Sequence, residues 1–277
     1  NGKGSVAVML HGALRASGRR AGLYTSPHLV TPRERIVIGD RMIGPEDFAD
    51  AALAVRRAAA RLGETPTYFE AFTAMAFHAF RESGVETASV EVGMGGRLDA
   101  TNCLPSPLVG VVTNISLEHT RYLGRTLASV AMEKAGIARR GRPLVTAASQ
   151  PVVLAALAQV CEARGARLVR VTPEVVSRIR ARSSPPSLAG EHQIVNAACA
   201  WVAGRLAGLP AAAVRQGILA AKWPGRLEQG SWRGRRIILD GAHNLAGIQA
   251  LARWLSPSVT LIFGVMRDKP VVPMLLN

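Results

Sequence analysis

The sequence predicts an α/β fold in which a mostly parallel sheet is covered by helices on both faces. Four short apolar runs rich in β-formers, at residues 87–92, 108–114, 143–146 and 167–171, are each followed by a loop and a helical pattern. Strands buried on both faces have continuous apolar runs rather than alternating ones, which is typical of parallel sheets between helix layers. At 277 residues and 48% hydrophobic content, the chain can bury a sizeable core.

Helices between these strands are predicted by apolar residues at helical spacing. Acidic residues follow Pro45, as in a first helical turn, and apolar residues then recur at three- or four-residue intervals up to Leu62. An aromatic stripe between Phe69 and Phe80 predicts the next helix and indicates a core face. Residues 191–206 form another predicted helix, and the Ser183–Ser187 stretch, with its two prolines, indicates a loop.

A second α/β unit is predicted to begin after Trp223. Residues 236–240 and 259–264 are predicted strands, with a helix at 244–255 between them. We therefore expect a first domain at residues 1–223 and the start of a second at 224–277. Both ends are expected to be incomplete, because the first motif begins at residue 1 and the sequence stops inside the second unit.

Composition argues against several classes of protein. The net charge of +15 is spread along the chain, and the aromatic content of 5% does not interleave with basic stretches, so we expect no nucleic-acid partner. A basic NTP-driven nucleic-acid-binding protein stays open as an alternative. No apolar run reaches the roughly 18–20 residues of a membrane helix. Three scattered cysteines without CxxC spacing indicate a reducing compartment, and we expect a cytoplasmic monomer.

The chain opens on a glycine-rich stretch, NGKGSV, that resembles part of a phosphate-binding loop. Glycines let backbone N–H groups approach phosphate, and Lys3 would neutralise phosphate oxygens before a following helix. Gly4 stands where the strict pattern has Ser or Thr. Taken alone, the stretch is equally compatible with a plain glycine turn.

Polar residues also follow several predicted strands. Glu91 ends one strand before a glycine-rich loop, His119 follows the next strand, and Asp240 ends a strand in the second unit. Open α/β sheets bind ligands at this edge, and a carboxylate there suits magnesium. The alternatives are a solvent-facing glutamate and an inert loop histidine. Lys134 could equally be an ordinary lysine at a helix C-terminus, and Asn244 a plain helix cap.

Together these stretches resemble the folylpolyglutamate synthase/dihydrofolate synthase family of the Mur ligase superfamily. The matching segments, in family order, are NGKGSV, YTSPHLVTPRERI, TYFEAFTAMAF, EVGMGGRLDATN, NISLEHTRYLG, EKAGI, GEHQIVNA, WPGRLE, LDGAHN and FGVMRDK. The resemblance implies a P-loop Mur ligase-like central domain followed by a truncated Rossmann-like α/β C-terminal domain. The first glycine-threonine of the family loop is absent, and Glu118 stands where the family usually has Asp.

The resemblance also implies a role for individual residues. ATP would be held by Asn1, Gly2, Lys3, Gly4, Ser5, Asn196, Arg226 and Asp240. Two Mg²⁺ ions would be bound by Ser26, Glu91 and His119. The pterin substrate would contact Thr67, Tyr68, Phe69, Glu70, Leu98, Asp99 and Ala100. Lys3, Lys134 and His243 would be catalytic, and Lys134 is the lysine that family members carbamylate.

The implied reaction is an ATP- and Mg²⁺-dependent ligation of L-glutamate to a pterin or folate carboxylate. The carboxylate would attack the γ-phosphorus of ATP to form an acyl phosphate, which the glutamate amine would then attack. Dihydropteroate, folates or both could be the acceptor, and a different Mur-type amino-acid ligase stays open as an alternative.

Overall fold

The computed structural model describes residues 1–181, 186–255, 258–266 and 271–275. The helices are α1 (Lys3–Ala16), α2 (Pro45–Leu62), α3 (Tyr68–Glu82), α4 (Thr120–Leu123), α5 (Leu127–Ala135), α6 (Pro151–Ala163), α7 (Pro173–Arg180), α8 (Glu191–Leu206), α9 (Ala211–Ala220), α10 (Leu245–Ala252) and α11 (Val271–Leu275). The strands are β1 (Ala21–Tyr24), β2 (Ile36–Ile38), β3 (Arg41–Met42), β4 (Thr87–Val90), β5 (Gly110–Val112), β6 (Pro143–Thr146), β7 (Arg167–Arg170), β8 (Glu228–Trp232) and β9 (Arg235–Leu239).

The strands form three groups. One sheet has the order β3-β2-β1-β4, in which β1 and β4 are parallel and β2 and β3 run antiparallel to their neighbours. The second sheet, β5-β6-β7, is entirely parallel. Strands β8 and β9 form an antiparallel hairpin. All four strands predicted in the first unit are therefore present, and parallel pairing is confirmed for them. Strand β1 and the short antiparallel strands β2 and β3 were not predicted.

Helices cover both faces of the two larger sheets. One apolar cluster joins α1, α8 and α9 to β1, a second places α2 and α3 against β1 and β2, and a third places α5 and α6 against β5 and β6. Tyr24 and Leu144, at the centres of two of these clusters, are fully buried. This arrangement confirms the predicted α/β fold with a sheet between helix layers.

Helices α1 and α9 pack at an unusually short distance. A Cβ atom at Gly217 would lie 2.5 Å from the carbonyl oxygen of Met9 and would also meet the backbone nitrogen of Ala13. Only glycine permits this backbone-to-backbone contact. This contact holds α9 directly against α1, the helix that begins at the glycine-rich stretch.

The second unit differs from the prediction in two ways. The predicted strand at residues 236–240 is present as β9, but it pairs antiparallel with β8, which was not predicted. The predicted strand at 259–264 is wrong, because the structure assigns no strand within the described residues 258–266. An apolar run becomes a strand only when a neighbouring strand satisfies its backbone hydrogen bonds. The predicted loop at 183–187 lies mostly outside the described residues.

Candidate active site

A cavity of about 850 Å³ lies where α1 begins, beside the ends of β4 and β5 and the turn after β9. Every site residue predicted from the sequence lines this cavity, from Asn1 in the glycine-rich stretch to His243 in the turn. The predicted residues come from widely separated segments of the chain, and folding places them around one space. The topology thus brings the strand-end residues together as expected for an open α/β sheet.

The glycine-rich stretch forms a loop that leads into α1. Gly2 has a φ of 84° and precedes the first helical residue, Lys3. Such a backbone conformation is open to glycine but strained for other residues. The hydroxyl of Thr113, just after β5, donates to the carbonyl oxygen of Asn1 at 2.6 Å. The N-terminus of a 14-residue helix therefore points into the cavity, where it favours a negatively charged ligand.

A chain of buried amides supports this loop from α8. Gln193 Nε2 donates to the hydroxyl oxygen of Ser5 at 3.2 Å, and Asn196 Nδ2 donates to Gln193 Oε1 at 2.9 Å. The other end of Asn196, its Oδ1 atom, lies against Gly2. Helix α8 thus contacts the loop on both sides of Lys3.

Glu91 lies one residue beyond β4 with its carboxyl group buried. It is 8% exposed, and its Oε2 accepts a hydrogen bond from the backbone N–H of Ser26 at 3.1 Å. Burial raises the pKa of Glu91, while the positive charge of Lys3 acts in the opposite direction. A buried carboxylate beside a lysine and an anion-binding helix end is chemically suited to a cation carried in with a phosphate.

His119 lies at the start of α4, has a φ of 51°, and keeps about a third of its side chain exposed. Its Nε2 is 3.9 Å from Oε1 of Glu118. Among the described residues, no three His, Cys, Asp or Glu side chains cluster as a self-sufficient metal site. Magnesium does not require such a cluster, because it commonly keeps waters and takes substrate phosphates besides one or two carboxylates.

Lys134 lies near the C-terminal end of α5, with its side chain directed to the cavity. Burial is the largest cause that lowers the pKa of Lys134, to about 8, and the positive charge of Lys3 adds to it. The glycine-rich loop after β4 also contacts α5, through Arg97. The guanidinium of Arg97 pairs with the carboxylate of Glu133 at 3.0 Å, and its backbone N–H donates to the Glu133 carbonyl at 2.9 Å. A lysine with a lowered pKa reacts more readily as a neutral amine.

The predicted pterin contacts on α3 divide into two kinds. Thr67 and Glu70 form a capping box, in which Glu70 Oε2 accepts from the Thr67 hydroxyl at 2.7 Å and from its backbone N–H at 2.8 Å. Their side chains therefore stabilise the helix N-terminus. Tyr68 is exposed at the rim of the cavity, and Phe69 packs near Tyr24, with ring centroids 6.0 Å apart. These rings are the apolar surface available to a flat ligand.

Arg35 supports this aromatic surface, although the sequence did not single it out. Its guanidinium lies 5.3 Å from the ring centroid of Tyr68 and 5.1 Å from that of Phe72. Its Nε atom donates to Nδ1 of His28 at 3.0 Å. A cation stacked on two rings in a largely buried position stabilises their orientation.

Asp99 organises the loop opposite α3. Its Oδ2 accepts from the backbone N–H of Met94 at 2.9 Å, and its Oδ1 accepts from the backbone N–H and hydroxyl of Thr101 at 3.0 and 2.6 Å. The neighbouring Leu98 is 80% exposed. Asp99 therefore shapes the loop, whereas Leu98 and Ala100 present apolar surface to the cavity.

The turn after β9 closes another side of the cavity. Asp240 accepts from the backbone N–H of Leu227 at 2.9 Å and from that of Ala242 at 2.8 Å, so it ties the 225–227 segment to the turn. The guanidinium of Arg226 lies against Gly241. Nδ1 of His243 is 2.8 Å from the carbonyl oxygen of Gly241, and its Nε2 faces Glu118 Oε1 at 3.7 Å.

Asn244 and Glu118 connect this turn to the first unit. Asn244 Nδ2 donates to Glu118 Oε1 at 2.9 Å, while its Oδ1 accepts from the backbone N–H of Gly247 at 2.9 Å and caps α10. The nearby His243 ring is the largest cause that holds the pKa of Glu118 well below its usual range. Asn244 is therefore both a helix cap and a bridge.

Sequence reasoning missed several residues that line the same cavity, among them Arg35, Tyr122, His192 and Gln193. All four lie inside stretches already noted for other reasons, namely YTSPHLVTPRERI, NISLEHTRYLG and GEHQIVNA. Burial lowers the pKa of His192. Only a search for buried polar residues within those stretches would have found Gln193.

Similarity to known proteins decides the family. No family model matches the sequence. The folylpolyglutamate synthase of Lacticaseibacillus casei is 34% identical over 308 aligned positions, which cover 99% of this chain and 71% of that protein. This chain belongs to the folylpolyglutamate synthase/dihydrofolate synthase family.

Other members of the family agree with this assignment. A probable bifunctional folylpolyglutamate synthase/dihydropteroate synthase of Halobacterium salinarum is 36% identical, with 97% of this chain covered. The structure of E. coli FolC in complex with DHPP and ADP is 31% identical, with a TM-score of 0.86, and covers 100% of this chain and 69% of that one. The chain spans 36% of the length of the Halobacterium relative.

Membership of a Mur ligase-like family of ATP-dependent glutamate ligases confirms the resemblance and the fold class predicted from the motifs. None of the helices in the described part of the chain is long and apolar enough to cross a membrane.

Proposed function

We propose that this chain carries the ATP site of an ADP-forming ligase that joins L-glutamate to a pterin or folate carboxylate. The observation that carries the proposal is the convergence of the loop containing Lys3, the buried Glu91, the low-pKa Lys134 and the turn at His243 on one cavity. Its wall of exposed Tyr68, half-buried Phe69 and exposed Leu98 suits a flat ring system, and L. casei folylpolyglutamate synthase, by its name, acts on folates.

The phosphate end of ATP would lie at the N-terminus of α1. Backbone N–H groups at Asn1, Gly2, Gly4 and Ser5, together with the Lys3 ammonium, would balance the phosphate charge. Arg226 would add a second cation from the second unit, and Asn196 would contact the nucleoside side. The E. coli FolC structure solved with ADP supports this assignment. Asp240 would act by holding the loop that bears Arg226, because both of its oxygens accept backbone N–H groups.

The residues present fit Mg²⁺ held partly by phosphate oxygens. Glu91, Ser26 and His119 would be its protein ligands, with two ions expected from the family resemblance. When bound, Mg²⁺ would neutralise the charge that develops on the transferred phosphoryl group.

The proposed roles of Lys3, Arg226 and His243 follow from the charges that develop during the reaction. The acceptor carboxylate would attack the γ-phosphorus, the bond to the ADP oxygen would break, and Lys3 and Arg226 would stabilise the growing charge on the phosphoryl oxygens. The glutamate amine would then attack the acyl carbon of the resulting acyl phosphate and release phosphate. His243 would accept the proton that the incoming amine loses, and its ring is positioned by the Gly241 carbonyl and Glu118. A cavity closed by two units would keep water away from the acyl phosphate.

Lys134 is proposed to be carbamylated by CO₂. A pKa of about 8 leaves roughly a tenth of the side chain as neutral amine at pH 7, the form that reacts with CO₂. The neutral amine nitrogen would form a bond to the CO₂ carbon and release one proton. Together with the proton that the ammonium group loses beforehand, this converts a buried cation into an anion. Labelled bicarbonate should give one carbamate carbon signal by NMR, and Lys134→Arg should lose it. A signal that survives this substitution would contradict the assignment.

The division at residues 223 and 224, a monomeric state and a cytoplasmic location also remain part of the proposal. The segment after Trp223 carries Arg226, Asp240 and His243, so closure of the second unit would complete the ATP site.

The direct test mixes purified protein with ATP, Mg²⁺, L-glutamate and either dihydropteroate or tetrahydrofolate. ADP release that requires both glutamate and an acceptor is expected, and the two acceptor arms distinguish dihydrofolate synthase, folylpolyglutamate synthase or both. Lys3→Met should abolish release, whereas Lys222→Met, at an exposed lysine outside the cavity, should not. No release in either arm would overturn the proposal. Release in the absence of a pterin would instead favour another Mur-type ligase.

A further inference from the structure

Gln193 is the most completely buried polar side chain at the site that has no assigned role. It lies in the first turn of α8 and is 1% exposed, between Ser5, at 3% exposed, and Asn196, at 4%. Its amide makes one hydrogen bond to each of them, as donor to Ser5 and as acceptor from Asn196. A buried amide that is satisfied on both sides is costly to misplace, so its geometry is strongly specified.

The direction of the bond to Ser5 has a chemical consequence. A hydroxyl group offers one hydrogen and two lone pairs. Because Gln193 Nε2 is a donor, it occupies a lone pair of Ser5 and leaves the hydroxyl hydrogen available to another acceptor. Ser5 borders the cavity, so that hydrogen can be directed towards a phosphate oxygen. If the partner on α8 were instead an acceptor, Ser5 would donate away from the cavity.

The relay formed by Ser5, Gln193 and Asn196 touches the loop at a second point. Asn196 Oδ1 lies against Gly2, whose φ of 84° sets the course of the loop into α1. Gly2 and Ser5 flank Lys3. The relay therefore holds the segment that presents the Lys3 ammonium from both sides.

We propose that Gln193 is a positioning residue for the phosphate loop, which directs the Ser5 hydroxyl as a hydrogen-bond donor towards the phosphates of a bound nucleotide. The proposal rests on the ATP site proposed above. It assigns Gln193 no contact with the nucleotide. The proposal assigns the larger part of its effect on nucleotide affinity to Ser5, and the dependence on the Ser5 hydroxyl separates this effect from a general contribution to folding.

The test is a double-mutant cycle between Gln193→Met and Ser5→Ala, with ATP and Mg²⁺ as the probe in calorimetric titrations of the whole chain. Gln193→Met keeps the length of the side chain and removes both hydrogen bonds. Loss of a hydrogen bond to a charged group costs about 1.5–3 kcal/mol, or roughly a tenfold to hundredfold weaker Kd. The same substitution in the Ser5→Ala background should change Kd by less than about threefold, because residues that act as a unit are not additive.

Gln216→Met is the matched control, because Gln216 is exposed on α9 and lies outside the cavity. The Gln216→Met variant should bind ATP with the same affinity as the unchanged chain. If Gln193→Met does not fold, as judged by circular dichroism, Gln193→Asn provides a shorter polar side chain that cannot reach both neighbours. The same dependence on Ser5 is expected for it.

Two results would overturn the inference. One is an unchanged ATP affinity in a folded Gln193 variant. The other is an equal loss of affinity with and without the Ser5 hydroxyl, which would mark Gln193 as a merely structural residue. The absence of ATP binding by the unchanged chain would instead overturn the proposed function on which the inference rests.

Discussion

Asn1 and Asn244 exchange two hydrogen bonds across the cavity, although they are 243 positions apart in the sequence. Asn1 Nδ2 donates to Asn244 Oδ1 at 3.1 Å, and Asn244 Nδ2 donates to Asn1 Oδ1 at 2.9 Å. With its bonds to Glu118 and Gly247, the amide of Asn244 uses both of its hydrogens and both of its lone pairs. The glycine-rich loop at Asn1 and the N-terminus of α10 are thereby held together.

Asn244→Ala should weaken both stability and nucleotide binding. Loss of the helix cap alone costs about 1 kcal/mol. In addition, Asn1 in the glycine-rich loop loses both hydrogen bonds to the Asn244 side chain. Thermal unfolding and ATP titration measure the two effects. Thr126→Ala is the control, because Thr126 caps α5 through the backbone N–H of Ser129 but does not line the cavity. It should lower stability comparably and leave ATP affinity unchanged. Equal ATP affinity in Asn244→Ala would show that the bridge has no part in binding.

The stability of the protein should depend on pH through Lys134. Its pKa of about 8 lies below the ordinary value of about 10.4, so the unfolded chain binds more protons between these values. Stability should therefore rise with pH across this window, and the full cost of the buried charge should be present below pH 8. Urea unfolding of the unchanged chain and of Lys134→Met, in CO₂-free buffer at about pH 7 and pH 9.5, isolates this contribution. Parallel pH dependences of the two proteins would contradict it.

Glu91→Gln should raise stability without metal and reduce the response to magnesium nucleotide. Burial raises the pKa of Glu91, which means that the folded state carries a cost for its charge above that pKa. Glutamine keeps the shape and an acceptor for the Ser26 N–H but removes the charge. The melting temperature should rise in the free protein, and its increase on addition of ATP and Mg²⁺ should shrink.

Glu86→Gln is the matched control for Glu91→Gln. The Glu86 carboxylate also accepts a backbone N–H, that of Arg20 at 2.8 Å, but it is exposed. Its substitution should leave the response to magnesium nucleotide unchanged. A full magnesium response in Glu91→Gln would remove Glu91 from the proposed metal ligands.

Gly217→Ala should destabilise the protein by separating α1 from α9. Alanine favours a helix over glycine by about 1 kcal/mol, but the added Cβ would meet the backbone of Met9 and Ala13. Overpacking of this kind costs about 1–3 kcal/mol, and here it falls on rigid backbone atoms. Denaturant unfolding measures the difference. Gly264→Ala, where the added Cβ has open space around it, should be close to neutral. A Gly217→Ala variant as stable as the parent would contradict the close packing of these helices.

Much of the first unit was determined by the sequence alone, because its signals are local. The helix predicted at residues 191–206 has those bounds in the structure, and the strands containing Leu144 and Leu168 are where apolar runs predicted them. A helix repeats its buried face every three to four residues and a buried strand is continuously apolar, so short windows suffice. Likewise, the motifs were sufficient to identify the family.

Contacts between distant segments were decided only by the tertiary structure. Gln193 and Ser5 are 188 positions apart, and no local pattern marks one as the partner of the other. The predicted strand at 259–264 failed for the same reason, since a strand depends on a partner elsewhere in the chain. The Thr67–Glu70 capping box, by contrast, lies within one helical turn and has a local sequence signal. Sequence patterns thus determined which segments line the cavity, whereas long-range packing and hydrogen bonding decided which of their side chains are committed to holding the structure.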